Sequence, residues 1–243
     1  MGISQQIGSS SLIKPGVIDS SATRPASPYE GQVIFQKDTD QLLVWNGTAW
    51  VIPNSPAQNP QGLELITTCT ATSTGSGGSY VAATASGGIT TIGTINTNVS
   101  VSSAFSATYD NYKIVATGFA ATTIGAAAFI KLNNSTGSTY FGNMIYNVPT
   151  SSAIGGVSAA NGTSNGFFAF TVSSTGTMSL EAMIDSPFLA VTSNCVGNYS
   201  GRNYNGQFST HDSNAASSTG FTFAPSAGTM TGGTIRVYGY RNS

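Results

Sequence analysis

A chain with almost no charge must solvate its surface with neutral polar groups, and that restricts what it can fold into. Only 7% of these 243 residues are Asp, Glu, Lys or Arg, against about 25% in ordinary soluble domains. Ser, Thr, Asn and Gly fill the space, with 29 glycines alone. Such residues weaken helix interiors, because they compete for backbone hydrogen bonds or cost backbone entropy. They suit short strands joined by tight turns, where Gly supplies positive φ. The expected fold class is therefore all-β. A chain of this length buries roughly 70% of its unfolded surface, so its core needs no disulfide.

The same scarcity narrows function. A net charge of −1 argues against nucleic-acid binding, which needs Lys and Arg to neutralise phosphates. No stretch approaches 18 apolar residues, so no membrane-inserted helix is expected. Met1–Ser10 has neither a basic region nor an apolar run, so no secretion signal is expected. Cys69 and Cys195 then read as free buried thiols rather than a disulfide.

Charge and proline divide the chain. Residues 1–30 read as an extended arm, because Pro15, Pro25 and Pro28 break any helix. The arm carries Ile3, Ile7, Leu12, Ile13, Val17 and Ile18, more apolar surface than a solvated tail keeps. Disorder and docking on a partner are the two readings, and docking is favoured. Residues 31–52 read as a small three-stranded β-module. Gln32–Phe35 and Leu42–Trp45 are its first strands, and Asn46-Gly47 marks a two-residue hairpin before Thr48–Val51. So small a sheet has little core of its own. Trp45 and Trp50 are then interface candidates, beside Ile3, Leu12, Ile13 and Val17 of the arm. Residues 53–62, with Pro53, Pro56 and Pro60, read as a linker.

Residues 63–243 read as one β-domain of about ten strands, a two-sheet sandwich of jelly-roll type. The expected strands are Leu63–Thr68, Ile89–Ile95, Tyr112–Phe119, Ala126–Leu132, Tyr140–Tyr146, Phe167–Val172, Met178–Ile184, Phe188–Val191, Phe221–Phe223 and Thr234–Tyr240. Alternation puts Met178, Leu180, Ala182 and Ile184 on one face. It also sets Ile235, Val237 and Gly239 opposite Arg236, Tyr238 and Tyr240.

Catalytic chemistry finds little support. His211, the one histidine, is expected in a polar loop, without the further ligands a metal site gathers. Gly162-Thr163-Ser164-Asn165-Gly166 matches a nucleophile elbow, but a strand rather than the required helix is expected after it. Glu181 and Asp185 lie four strand residues apart, roughly 13 Å, too far for a glycosidase pair. Asp38-Thr39-Asp40 lacks the other ligands and the glycine of a calcium loop and reads as a turn. No cofactor is expected. Tyr199, Arg202 and Tyr204 set aromatics beside Asn and Gly, which suits glycan contact; ordinary core or subunit packing is the competing reading.

Two stretches carry a resemblance. Ala22-Thr23-Arg24-Pro25-Ala26-Ser27-Pro28-Tyr29-Glu30-Gly31-Gln32-Val33-Ile34-Phe35, continuing through Asp38-Thr39-Asp40 to Val44-Trp45-Asn46-Gly47-Thr48-Ala49-Trp50, resembles a module of tail-fibre and other surface proteins of tailed bacteriophages. Phe105–Tyr112 together with Gly233–Tyr240 resembles the β-domain that often follows it. The resemblance implies a non-enzymatic virion surface protein, often a homotrimer, assembled in the host cytoplasm with its N-terminal part toward the particle. Its expected partners are copies of itself and another virion protein of the tail, neck or capsid, met through residues 1–52. Two roles follow: a fibre-type subunit displaying the sandwich toward a host-surface glycan, or a decoration protein stabilising the capsid lattice.

Overall fold

The computed structural model describes residues 15–53, 62–123, 125–135, 137–148, 153–163, 166–170, 176–202 and 204–241. Among them, regular structure is strand throughout, apart from one 3-10 turn at Ser21–Thr23. The fold class is all-β. The chain divides into two compact units, Met1–Pro60 and Gln61–Ser243.

In the first unit β1 (Gly16–Ile18), β2 (Val33–Gln36), β3 (Gln41–Trp45) and β4 (Trp50–Val51) form one sheet in that order. The sheet has four strands rather than three, because Gly16–Ile18 leaves the arm and pairs in parallel with Ile34–Gln36. Parallel pairing is non-local, so no turn signal announces it. Pairing continues past the strand, where Lys37 and Asp38 donate their N–H groups to Ile18 and Asp19 carbonyls at 3.0 and 3.1 Å. Ile34 and Leu43 face each other across β2 and β3 and are buried.

Gln36, also buried, is held by charge on both sides. Its Oε1 accepts Arg24 Nε and Nη2 at 2.8 and 2.6 Å, and its Nε2 donates to Asp38 Oδ1 at 2.7 Å. The β3–β4 connection is a four-residue loop, not the two-residue hairpin expected. Asn46 Oδ1 accepts the Thr48 and Ala49 N–H groups at 3.0 and 2.8 Å, while the Asn46 N–H donates to the Ala49 carbonyl at 3.1 Å. Residue pairing between the strands starts at Trp45 opposite Trp50.

The second unit holds β5 (Leu63–Leu65), β6 (Thr70–Gly75), β7 (Thr84–Ser86), β8 (Ile89–Thr91), β9 (Asn96–Ser102), β10 (Tyr109–Ala121), β11 (Ala127–Leu132) and β12 (Tyr140–Val148). It continues with β13 (Ala153–Thr163), β14 (Phe167–Phe170), β15 (Met178–Asp185), β16 (Ser193–Gly201), β17 (Asn205–Asp212), β18 (Phe221–Pro225), β19 (Met230–Thr231) and β20 (Thr234–Arg241). Sheet I runs β13-β12-β17-β16-β15-β10-β20, with β5 and β8 sharing the far edge of β20 and β7 beyond β8. Sheet II runs β14-β11-β18-β9-β6. β10 belongs to both. Gly118, at φ +75°, sits where its register shifts, and beyond it Ala120 and Ala121 pair with β19, which also joins β9.

The core lies between the sheets. Ile114, Leu180, Ala182 and Val237 of sheet I meet Val99, Val101, Ile130 and Phe223 of sheet II in one buried cluster. Met178, Leu180, Ala182 and Ile184 are all buried, as their alternation requires. Phe188–Val191 is a turn rather than a strand; Leu189 N–H donates to the Ser186 carbonyl at 3.1 Å, and Ser186 has φ +50°.

The two C-terminal stretches of the resemblance pack on each other. Tyr112 lies on β10 opposite Gly239 of β20. A Cβ on Gly239 would overlap the Tyr109 ring, so the aromatic of one stretch requires the glycine of the other. The Tyr112 hydroxyl accepts the Ser106 N–H at 2.7 Å and donates to the Ser106 carbonyl at 2.9 Å. It thus clamps the crossover from β9 to β10, in the manner of a tyrosine corner. Phe105 packs edge-on against Tyr112 at 4.7 Å between centroids.

Candidate functional site

Alternation along a strand sends every second residue outward. On sheet I the outward residues of neighbouring strands fall into cross-strand rows. Ile145 on β12 is opposite Gln207 on β17, which is opposite Asn198 on β16, which is opposite Glu181 on β15. The next row runs Asn143, Ser209, Val196, Met183 and Lys113, from β12 to β10. Between these rows lies a depression of 340 Å³.

Two further depressions adjoin it on the same face. One, of 200 Å³, shares Met183 and Val196 and reaches Asn111, Asp185 and Asn194. The other, of 230 Å³, shares Ile145 and Gln207 and reaches Asn147, Asn205 and Ile154 on β13. Together they form one shallow groove crossing six strands, β13 to β10. At about 4.8 Å per strand spacing, it is roughly 24 Å long.

The lining sets neutral amides beside exposed apolar groups. Asn143, Asn198, Gln207 and Ser209 make no side-chain hydrogen bond to the described residues. The amides at the strand ends do: Asn194 donates to both oxygens of Asp185, and Asn205 Oδ1 accepts Ser200 Oγ–H at 2.8 Å. Ile145, Val196 and Met183 are exposed, and Ile154 is 81% exposed. One ion pair crosses this face, and among the described residues Asp185 has only neutral Asn194 as its side-chain partner. Lys113 Nζ meets Glu181 Oε1 at 2.6 Å, and that hydrogen bond raises the Lys113 pKa.

Several residues singled out from sequence stand elsewhere. Tyr199 is buried at 3% exposure within the sandwich, and burial raises its pKa. It is not available for glycan contact, because β16 alternation turns it inward. Tyr204 is partly buried, packs on the same core, and meets Tyr146 edge-on at 5.6 Å. Arg202 is exposed. The sheet thus does not bring the three together as one outward surface. His211 lies on β17 rather than in a loop, stacked on Phe141 at 5.3 Å and 15°. In the first unit Val17 is 55% exposed, while Trp45 and Trp50 are half-buried and meet edge-on at 5.6 Å. Ile3, Leu12 and Ile13 lie outside the described residues, as does Ser164 of the G-x-S-x-G match; Phe167–Phe170 after it is a strand.

Catalytic groups are sparse where the structure is described. Glu181 and Asp185 share the outer face, one paired with Lys113 and the other with Asn194. Cys69 and Cys195 are buried free thiols. Burial pushes the Cys69 thiol up to about 11 and Cys195 well above its ordinary value, so neither is a poised nucleophile at neutral pH. Among the described residues no group of three His, Cys, Asp or Glu side chains is arranged to hold a metal ion, and no helix is long and apolar enough to cross a membrane. Comparison with protein-family models, curated proteins and solved structures gives no match.

Sequence alone does not pick out the groove residues one by one. Asn143, Asn198 and Gln207 are ordinary surface amides until strand register sets them side by side. β16 and β17, which supply half the groove, are not among the strands expected from sequence.

Proposed function

We propose that this chain is a non-enzymatic structural subunit of a tailed-bacteriophage virion, of fibre type. Residues 1–52 attach it to the particle and the sandwich is displayed outward. The observation that carries this reading is that each stretch of the phage resemblance has a definite structural task. Arg24 of the first stretch holds buried Gln36 inside a self-contained sheet. Tyr109 and Tyr112 of the second lie against Gly239 in the sandwich. A homotrimer belongs to the same reading. Trp45 and Trp50 are left half-buried on a four-stranded sheet, and obligate interfaces resemble a core cut in half.

The test is to locate the protein on purified particles with antibody-gold labelling and cryo-electron microscopy. Label on a tail or fibre is expected; label spread over the head lattice favours the decoration role instead. Absence from the particle refutes both. Light scattering of the purified chain at micromolar concentration is expected to give a trimer mass, and a monomer mass removes the trimer from the proposal.

A further inference from the structure

We infer that the groove across the outer face of sheet I is a binding site for a neutral oligosaccharide. This deepens the reading of the sandwich as a displayed domain by naming its ligand class, and it rests on that reading only for its biological setting.

Shape is the first argument. The three depressions share residues pairwise, Met183 and Val196 at one junction, Ile145 and Gln207 at the other. The result is a long shallow track rather than a pit, suited to a chain of several similar units. Its polar groups recur at the strand spacing of about 4.8 Å, close to the length of one pyranose unit.

Chemistry is the second. Each amide offers both a donor and an acceptor, which matches sugar hydroxyls that also do both. Asn143, Asn198 and Gln207 have these groups uncommitted, facing one depression. Glu181 keeps Oε2 outside its contact with Lys113, which is made through Oε1. Ile145, Val196 and Met183 stand exposed beside them in the same rows, apolar groups against which the C–H face of a sugar ring can rest.

Charge is the third. Lys113 and Glu181 neutralise each other, while Asp185 at one end of the groove keeps its negative charge under neutral Asn194. A polyanion finds no net positive charge here, and a cationic ligand finds one carboxylate already paired. A second copy of the chain fits less well. Sheet-on-sheet packing buries apolar inner faces, whereas here a row of uncommitted amides would lose water. A peptide strand would add to a sheet edge instead of crossing six strands on a face.

The experiment uses the full-length chain and saturation-transfer NMR with four neutral probes: maltotetraose, cellotetraose, chitotetraose and mannotetraose. Tetragalacturonate is the acidic comparator. At least one neutral probe is expected to receive saturation, at least ten-fold more strongly than tetragalacturonate. Asn198→Ala and Gln207→Ala are exposed substitutions on the groove and are expected to weaken that signal at least ten-fold, with circular dichroism unchanged. Thr72→Ala, on sheet II, is expected to leave it intact.

Silence from all four neutral probes, equal transfer to tetragalacturonate, or an undiminished signal in both groove variants overturns the inference. So does a Val196→Arg variant whose mass by light scattering falls below that of the parent chain, because the face is then an interface between copies. Each of these outcomes leaves the location of the protein on the virion untouched, which the labelling experiment decides separately.

Discussion

Tyr112 shows how much a single side chain organises. Its ring is fully buried between the sheets, and its hydroxyl holds both backbone groups of Ser106. Tyr112→Phe keeps the ring and removes both bonds. Ser106 itself is exposed, so water can reach its freed backbone groups. The expected cost is about 0.5–1.5 kcal/mol, the net worth of an ordinary hydrogen bond. The melting point should fall by about 2–4 °C per kcal/mol; an unchanged melting curve followed by circular dichroism would show that the clamp adds nothing. Cys69 gives a pH prediction. Burial raises its thiol from 9.0 to about 11, so above pH 9 the unfolded chain releases a proton that the folded chain keeps. The unfolded state then binds fewer protons, and stability falls as pH rises through the window from 9 to 11, by at most about 1.4 kcal/mol per pH unit. Cys69→Ala should make that part of the profile less steep, leaving the slope that buried Cys195 contributes over the same window. Denaturant midpoints measured at pH 8, 9.5 and 10.5 check it, and equal slopes in parent and variant refute it.

At the scale of elements, the deciding feature is where strands change sheets. β10 passes from sheet I to sheet II at Gly118, and the chain returns from β19 to β20 through Gly232 and Gly233, at φ +68° and +85°. The two crossings lie side by side, since Thr117 pairs with Thr234 and Ala120 with Thr231. A Cβ on Gly233 would stand 2.6 Å from both Phe119 N and the Thr117 carbonyl oxygen. Gly233→Ala therefore combines a left-handed backbone with a backbone clash and should cost about 3 kcal/mol. Gly78→Ala, which meets nothing within 4 Å, should stay within about 0.5 kcal/mol. Similar losses for both would mean that crowding at the crossing is not what matters. These elements also show what is legible in the sequence. Strands with large alternating apolar residues, such as Met178–Asp185 and Thr234–Arg241, are readable because burial and period agree. Thr70–Gly75, Asn96–Ser102, Ser193–Gly201 and Asn205–Asp212 are not. Their inward positions are often small or polar, such as Ser193 and Cys195, or Thr210 and Asp212, so hydrophobic period is weak and pairing with neighbours decides the structure. The groove is hidden for the same reason: four strands meet at its centre, and two of them carry no strong signal.

The whole molecule is two units joined through a proline-bearing stretch, and the division of labour can be tested by separating them. The sandwich has its own buried cluster between its own two sheets, so a fragment beginning at Gln61 should be soluble and give β-type circular dichroism; an insoluble product would tie its folding to the first unit. The proposed attachment role is best tested from the other end. β1 belongs to the sheet of the first unit, so removing Gly16–Ile18 would damage that sheet and confuse loss of folding with loss of attachment. Deleting residues 1–14 avoids this. The deletion removes Ile3, Ile7, Leu12 and Ile13, and burying each such side chain against a partner contributes about 1.5–3 kcal/mol. Several together can hold a subunit on a particle, while the paired strands from Gly16 onward keep their sheet hydrogen bonds. The expected outcome is a chain with unchanged circular dichroism that no longer co-purifies with virions assembled in its presence. The measurement is quantitative mass spectrometry of gradient-purified particles, parent and deletion side by side. If the shortened chain appears at the parent's copy number, the apolar residues of the arm do not make the attachment, and the contact must instead be sought on the sheet around Trp45 and Trp50.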